Sequence, residues 1–277
     1  MATDLENIQR LYDRFKRPVP QGTQYQKRLV EEFELILNQR FTDYFMQICD
    51  IIDLTTDIKH MTRGSAGSSL ICYLLGITDV DPIKWKIPVA RFMNPLRDDL
   101  PDVDIDFEHW RQGEVMNRIF KKWPGMTARL SNYVTYKPKS ARREAAKRLG
   151  AAGRLPRGFT YESVGVDPTE AKRIERKLLG KKRAISKHCG GIVMFTRKLP
   201  KSLISEDNQI LLDKNEVEDL EHLKVDILAN RGLSQLLEID PNTALEDYPE
   251  TDEATSKLLA RGDVLGVTQG ESPAMRR

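Results

Sequence analysis

The sequence predicts an α/β fold, with short strands between amphipathic helices and a basic helical segment inserted into the sheet. Three observations carry this. DVDIDF at 102–107 alternates acid and apolar residues with the period of two expected of a half-buried strand. GGIVMF at 190–195 and HLKVDIL at 222–228 are short and β-branched, so both read as strands of the same sheet. Between the first strand and the other two, residues 113–183 read as mostly helical and strongly basic.

The elements follow in order. Leu29, Phe33, Leu35, Ile36 and Leu37 recur at near-helical spacing in Tyr25–Asn38, predicting an amphipathic helix, and a second runs through FMQICDIIDL. RGSAGSS at 63–69 is a small-residue turn, and the apolar LICYLLGI after it reads as a buried helix beginning near Ser68. After DVDIDF the chain continues as EHWRQGEVMNRIFKKW, where Val115, Ile119 and Phe120 mark a helix. GAAGRLPRG at 150–158 turns the chain within the basic segment. A capped helix starts near Thr251, with Glu253 in its first turn.

With 277 residues and 40% hydrophobic content, the chain can bury a core as one large domain or two modest ones. No run approaches the roughly 18 apolar residues of a membrane span, and the N-terminus lacks a signal-peptide pattern, so a cytoplasmic protein without a membrane partner is expected. Three cysteines, Cys49, Cys72 and Cys189, without a CxxC pair indicate neither a disulfide framework nor a structural zinc site. The four histidines are scattered too, so a metal would be held by oxygen ligands. The net charge of +3 conceals an uneven distribution. Between Lys137 and Lys187, 16 Lys or Arg face 5 Asp or Glu, an excess of 11 that leaves the remainder of the chain at −8. That segment suits a polyanion, although a pair of solvated amphipathic helices has the same composition.

Three constellations carry possible chemistry. In a strand, Asp102, Asp104 and Asp106 emerge on one face while Val103, Ile105 and Phe107 point to the other. At about 6 to 7 Å and an effective dielectric near 20, each neighbouring pair of carboxylates repels by about 2 to 3 kcal/mol. Either the edge is solvated, or a hard divalent cation such as magnesium offsets the repulsion. In HLKVDIL, Lys224 and Asp226 share one strand face: a plain ion pair, or a further carboxylate for a two-metal site with a cation for phosphate. RGSAGSS offers Gly64 and Gly67 for close backbone approach, the hydroxyls of Ser65 and Ser68, and the positive end of the next helix. This describes a phosphate cradle or an ordinary cap, but not a Walker A loop. His188, beside a Gly-Gly turn, is a weak candidate ligand or acid, and no GxSxG elbow or dinucleotide fingerprint is present.

In sequential order, RGSAGSSLICYLLGITDVDP, RFMNP, LPDVDIDF, SKHCGG, HLKVDIL and GVTQGES resemble the bacterial C-family replicative DNA polymerases, the family of the catalytic α subunit of DNA polymerase III. The resemblance implies an α/β nucleotidyltransferase palm of the polymerase β type, with a mixed sheet and a helical thumb-like insertion. By position it implies Asp102, Asp104 and Asp226 as the catalytic metal ligands for two Mg²⁺ ions. Arg63, Gly64, Ser65, Arg91 and Lys224 would bind the nucleotide, with Asp106 in a supporting role. The implied division is a helical lead-in at 1–60, palm at 61–112 and 184–240, thumb-like insertion at 113–183 and a truncated start of the fingers at 241–277. Where the family places GVFQLES, this chain has GVTQGES.

The expected function is DNA-directed DNA polymerisation, with nucleotidyl transfer from a dNTP to a primer 3′-hydroxyl and release of pyrophosphate. Its partners would be primer-template DNA, dNTP, and a separate fingers or C-terminal polypeptide or replisome subunits. The alternatives are a non-catalytic DNA-binding or assembly fragment that needs missing fingers, and a template-independent nucleotidyltransferase.

Overall fold

A computed structural model describes residues 3–94, 96, 101, 103–195, 198–213, 216–217, 223–267 and 270–274, without the side chains of 213, 223 and 246. Six strands hydrogen-bond in the order β1-β2-β6-β4-β3-β5, giving a mixed sheet with helices and hence the expected α/β class. The chain divides into two compact units, Met1–Ala128 with Cys189–Leu199 and Glu221–Arg277, and Arg129–His188 with Pro200–Leu220.

The first unit begins with three helices, α1 (Asp4–Tyr12), α2 (Thr23–Asn38) and α3 (Thr42–Asp53). Thr3 and Glu6 form a capping box on α1, satisfying backbone N–H groups that a helix start leaves open. Arg14, just after α1, reaches Asp50 and Asp53 of α3 at 3.0 and 2.9 Å. The chain then enters β1 (His60–Arg63), a short 3₁₀ turn at Gly64–Ser68 and the brief helix α4 (Leu70–Leu74). β2 (Val103–Glu108) leads into α5 (Gln112–Lys122), and β6 (Leu223–Asn230) into α8 (Arg231–Ile239); α9 (Glu253–Arg261) follows with Asp252 as its cap.

β2 is an internal strand of this unit. It runs antiparallel to β1, pairing Arg63 with Asp104, and parallel to β6, pairing Val103 with Val225, Asp104 with Asp226 and Ile105 with Ile227. Val103, Ile105, Phe107, Val225 and Ile227 are fully buried, in one core with Phe45 and Ile48 of α3 and Val115 and Ile119 of α5. The core therefore lies on one face of these strands and the acidic residues on the other, as the period of two demands.

The stretch 113–183 is less helical than its sequence predicts. It contains a nine-residue strand, β3 (Thr127–Thr135), and the start of β4 (Lys182–Met194), besides α6 (Pro138–Arg148) and α7 (Pro168–Leu178). TARLSNYVT has no sustained apolar alternation; it is a strand because its neighbours supply backbone partners, as in the parallel pairing of Arg129 with Gln209 of β5 (Gln209–Asp213). In the second unit α6 and α7 enclose a small core of Ala145, Ala146, Leu155, Phe159, Tyr161, Val166 and Ala171. Arg142 stacks at 5.0 Å from the Phe159 ring centroid and donates to the Phe159 carbonyl at 2.5 Å, so this cation serves packing.

Gly190 and Gly191 form strand, as expected of GGIVMF, and not a Gly-Gly turn beside His188. Both lie inside β4, where Gly191 pairs with Asp226. A Cβ at Gly190 would sit 2.6 Å from the Ile227 carbonyl oxygen, so β4 can lie this close to β6 only without a side chain there. Gly190→Ala is expected to cost about 1 to 3 kcal/mol by forcing the backbone apart, read as a lower urea midpoint with an unchanged m-value.

Candidate active site

The polar face of β1, β2 and β6 gathers most of the predicted site residues in the first unit. Asp104 lies between Arg63 and Asp226 in strand register, its side chain half-buried and that of Asp226 buried. Adjacent strands are about 4.8 Å apart, so two ionised carboxylates there would repel by about 3 kcal/mol at an effective dielectric near 20. Lys224 offsets part of this, with Nζ 3.6 Å from Asp226 Oδ2 and both side chains largely shielded from water. The ion pair suggested by the spacing therefore exists, on the same face as the Asp104–Asp226 pair. Asp102 lies outside the described residues. The Tyr44 hydroxyl donates to the carbonyl of Pro101, tying the chain just ahead of β2 to α3.

Asp106 does not belong to a solvated acidic edge. It is 2% exposed, because β2 has a strand on each side and α8 packs against it. Its Oδ2 accepts from Asn230 Nδ2 at 2.8 Å and its Oδ1 lies 3.3 Å from Arg63 Nε. Asn230 was not anticipated from sequence: only the parallel β2–β6 pairing brings the end of β6 beside Asp106, and no local pattern signals it.

The Gly-Ser turn is built differently from the predicted cradle. Gly64 has φ +80°, a left-handed conformation suited to glycine, and a Cβ on it would lie 3.6 Å from Asp104 Oδ2. The glycine backbone therefore runs close beside that carboxylate. The helix after the turn, however, offers no free positive end. Glu32 of α2 is fully buried there, accepting from the backbone N–H groups of Leu70 and Ile71 at 2.8 and 3.0 Å and from Ser69 Oγ at 2.7 Å. Arg28 Nε donates to the same carboxylate at 2.8 Å. Burial pushes the Glu32 carboxyl above its ordinary value, while the N–H groups, the hydroxyl and the guanidinium each pull it back. The N-terminus of α4 thus already holds an anion, and anything the turn binds must use Gly64–Ser68 itself. Within the turn, Ser68 Oγ donates to the Ser65 carbonyl at 2.5 Å.

Arg91 is exposed at the end of a 3₁₀ turn, Val89–Arg91, that packs beside the Gly-Ser turn. His188 lies in β4 of the second unit, where its carbonyl accepts from Arg129 Nη2 at 3.3 Å. Among the described residues no group of three His, Cys, Asp or Glu side chains is placed to hold a metal ion. The described part of the expected ligand set is the pair Asp104 and Asp226, hard oxygen donors of the kind magnesium takes.

In the second unit the unspent cations line two surface cavities. One, of about 490 Å³, is bounded by Lys139, Arg143, Arg157 and Phe159 among others. The second, of about 370 Å³, is bounded by Lys147, Arg154 and Arg183 and shares Lys139 and Arg143 with the first.

With this geometry in place, comparison with known proteins is decisive about kinship. The bacterial DNA polymerase III alpha NTPase domain family matches residues 5–229. The chain belongs to that family. Among the relatives of this DNA polymerase III alpha family member, the error-prone DNA polymerase of Burkholderia mallei (strain ATCC 23344) is 34% identical over 305 residues, covering 94% of this chain and 29% of the relative. The error-prone DNA polymerase of Saccharophagus degradans is 31% identical over 295 residues, covering 92% and 29%. That of Sinorhizobium medicae is 31% identical over 317 residues, covering 98% and 28%. The chain thus spans under a third of the length of these curated relatives. No helix among its described residues is long and apolar enough to cross a membrane.

The buried Glu32 cap gives the site a specific vulnerability. Glu32→Ala would leave Arg28 Nε, the Ser69 hydroxyl and two backbone N–H groups without their acceptor in a dry environment, and should cost about 3 to 5 kcal/mol, measured by chemical denaturation.

Proposed function

We propose that the chain carries the catalytic face of a DNA-directed DNA polymerase, a nucleotidyltransferase palm that joins a dNTP to a primer 3′-hydroxyl. The observation that supports this most directly is the register pairing of Asp104 with Asp226 beside Arg63 and the Gly64 turn. Membership in the DNA polymerase III alpha family and the names of the error-prone relatives agree with it.

Asp104 and Asp226, with Asp102, would hold two Mg²⁺ ions. Bound there, the ions would lower the pKa of the attacking hydroxyl and neutralise charge at the α-phosphate. The chain's own residues supply the rest. The Arg63 guanidinium and the Lys224 ammonium would counter the triphosphate charge as it moves toward the leaving pyrophosphate, the main catalytic contribution in phosphoryl-type transfer. The Gly64–Ser65 backbone would let phosphate oxygens approach closely, and Arg91, on the neighbouring turn, would add a further positive charge. The cations of the second unit would grip primer-template backbone phosphates.

Two measurements test this reading. In a primer-extension assay with Mg²⁺ and dNTPs, Asp104→Asn and Asp226→Asn are each expected to lower extension by on the order of 10³-fold, the equivalent of several kcal/mol of lost charge stabilisation. Extension that survives either change would overturn the assignment, and a product that ignores template sequence would favour a template-independent transferase. Primer-template affinity should fall steeply with salt, with a logarithmic slope of about −5 if six phosphates are neutralised. A near-flat salt response would remove the second unit from the DNA grip.

A further inference from the structure

Arg63 is held from behind. Its Nε lies 3.3 Å from the buried Asp106 carboxylate, and Asp106 is fixed in turn by the Asn230 amide at 2.8 Å. Asn230 cannot move independently, because its Oδ1 accepts from the Leu233 N–H at 2.9 Å as the N-cap of α8 and its carbonyl accepts from Ser234 Oγ at 3.0 Å. Ser234 is buried and accepts from the His109 backbone N–H at 2.8 Å, tying α8 to the end of β2. The Arg63 side chain is still 57% exposed, so its terminal fork faces outward while its Nε faces the buried acid.

We propose that Asn230 and Asp106 are positioning residues that aim the Arg63 fork at an incoming nucleoside triphosphate, and that Asp106 is not a metal ligand. The inference rests on reading Arg63 as a phosphate contact. Its physical basis is entropic and geometric. A free arginine loses much rotamer freedom when it grips an anion, whereas a guanidinium whose Nε is already ion-paired with a buried carboxylate presents its two terminal nitrogens with less still to order. Asp106 has one oxygen committed to Asn230 and the other facing Arg63.

The test uses the full chain, with Mg²⁺–dATP as the triphosphate probe in calorimetric titration and Mn²⁺ read by electron paramagnetic resonance as the metal probe. Asn230→Ser keeps a side-chain oxygen to cap α8 but is too short to reach Asp106. It should weaken Mg²⁺–dATP binding about tenfold, leave Mn²⁺ affinity unchanged and shift Tm little. Asp106→Asn should do the same, and Asn230→Ser combined with Arg63→Ala should cost no more than Arg63→Ala alone. Triphosphate affinity unchanged in Asn230→Ser, or additive losses in the double variant, would overturn the relay. Loss of Mn²⁺ in Asp106→Asn would make Asp106 a ligand and overturn it equally. An unmutated chain that binds Mn²⁺ but no triphosphate would strike the phosphate reading itself, a failure seen before any variant is made and so distinct from silent variants on a binding parent.

Discussion

The parallel pairing of β2 with β6 is the constraint on which the rest of the structure depends. It places Asp104 against Asp226, and because strand side chains alternate, the same register sends Val103, Ile105, Val225 and Ile227 together into the core. A slip of one residue would bury acids and expose the apolar set. The apolar face therefore locks the acidic one, and hydrophobic burial offsets the repulsion between the carboxylates. Helices α3 and α5 cover the apolar side and complete that lock.

Charge compensation on the polar face is local and unequal. Lys224 stands beside Asp226, Arg63 and Asn230 beside Asp106, and the glycine backbone at 64 beside Asp104. The three carboxylates thus meet different neighbours, and Asp106 is the most enclosed of them. The same economy governs the turn before α4, where a buried glutamate already occupies the helix end that an outside anion would otherwise find. A phosphate cradle and a buried cap look alike in a Gly-Ser segment. Glu32, 37 residues from Ser69 along the chain, fills the helix end and leaves Gly64–Ser68 as the part of the segment that could meet an outside anion.

The second unit shows how a count of charges overstates a surface. Arg142 is spent on Phe159 and Tyr161, and Arg173 pairs with Glu170 on the same helix. Lys139, Arg143, Arg154 and Arg157 remain around the two cavities. Lys139 and Arg143 are carried on α6, whose Ala141, Ala145 and Ala146 are fully buried, while Arg154 and Arg157 lie in the segment that follows it. Excess charge and close helix packing thus come from alternate faces of the same short segments.

Six motifs in order carried the likeness to C-family polymerases. Local sequence was also enough for the strand character of 103–107 and 223–228, the face that Asp104, Asp106 and Asp226 take, and the helices around Tyr25–Asn38 and Thr42–Asp53. These rest on side-chain period, which is a property of neighbours in the chain. What only the tertiary structure decided is which acids meet and which are enclosed: Asp104 opposite Asp226, Asp106 clamped by Asn230 and Arg63, Glu32 beneath α4, and a strand where TARLSNYVT shows no alternation. Each depends on groups contributed from distant segments, and the energy of a pairing or a buried hydrogen bond exists only once both partners are in place.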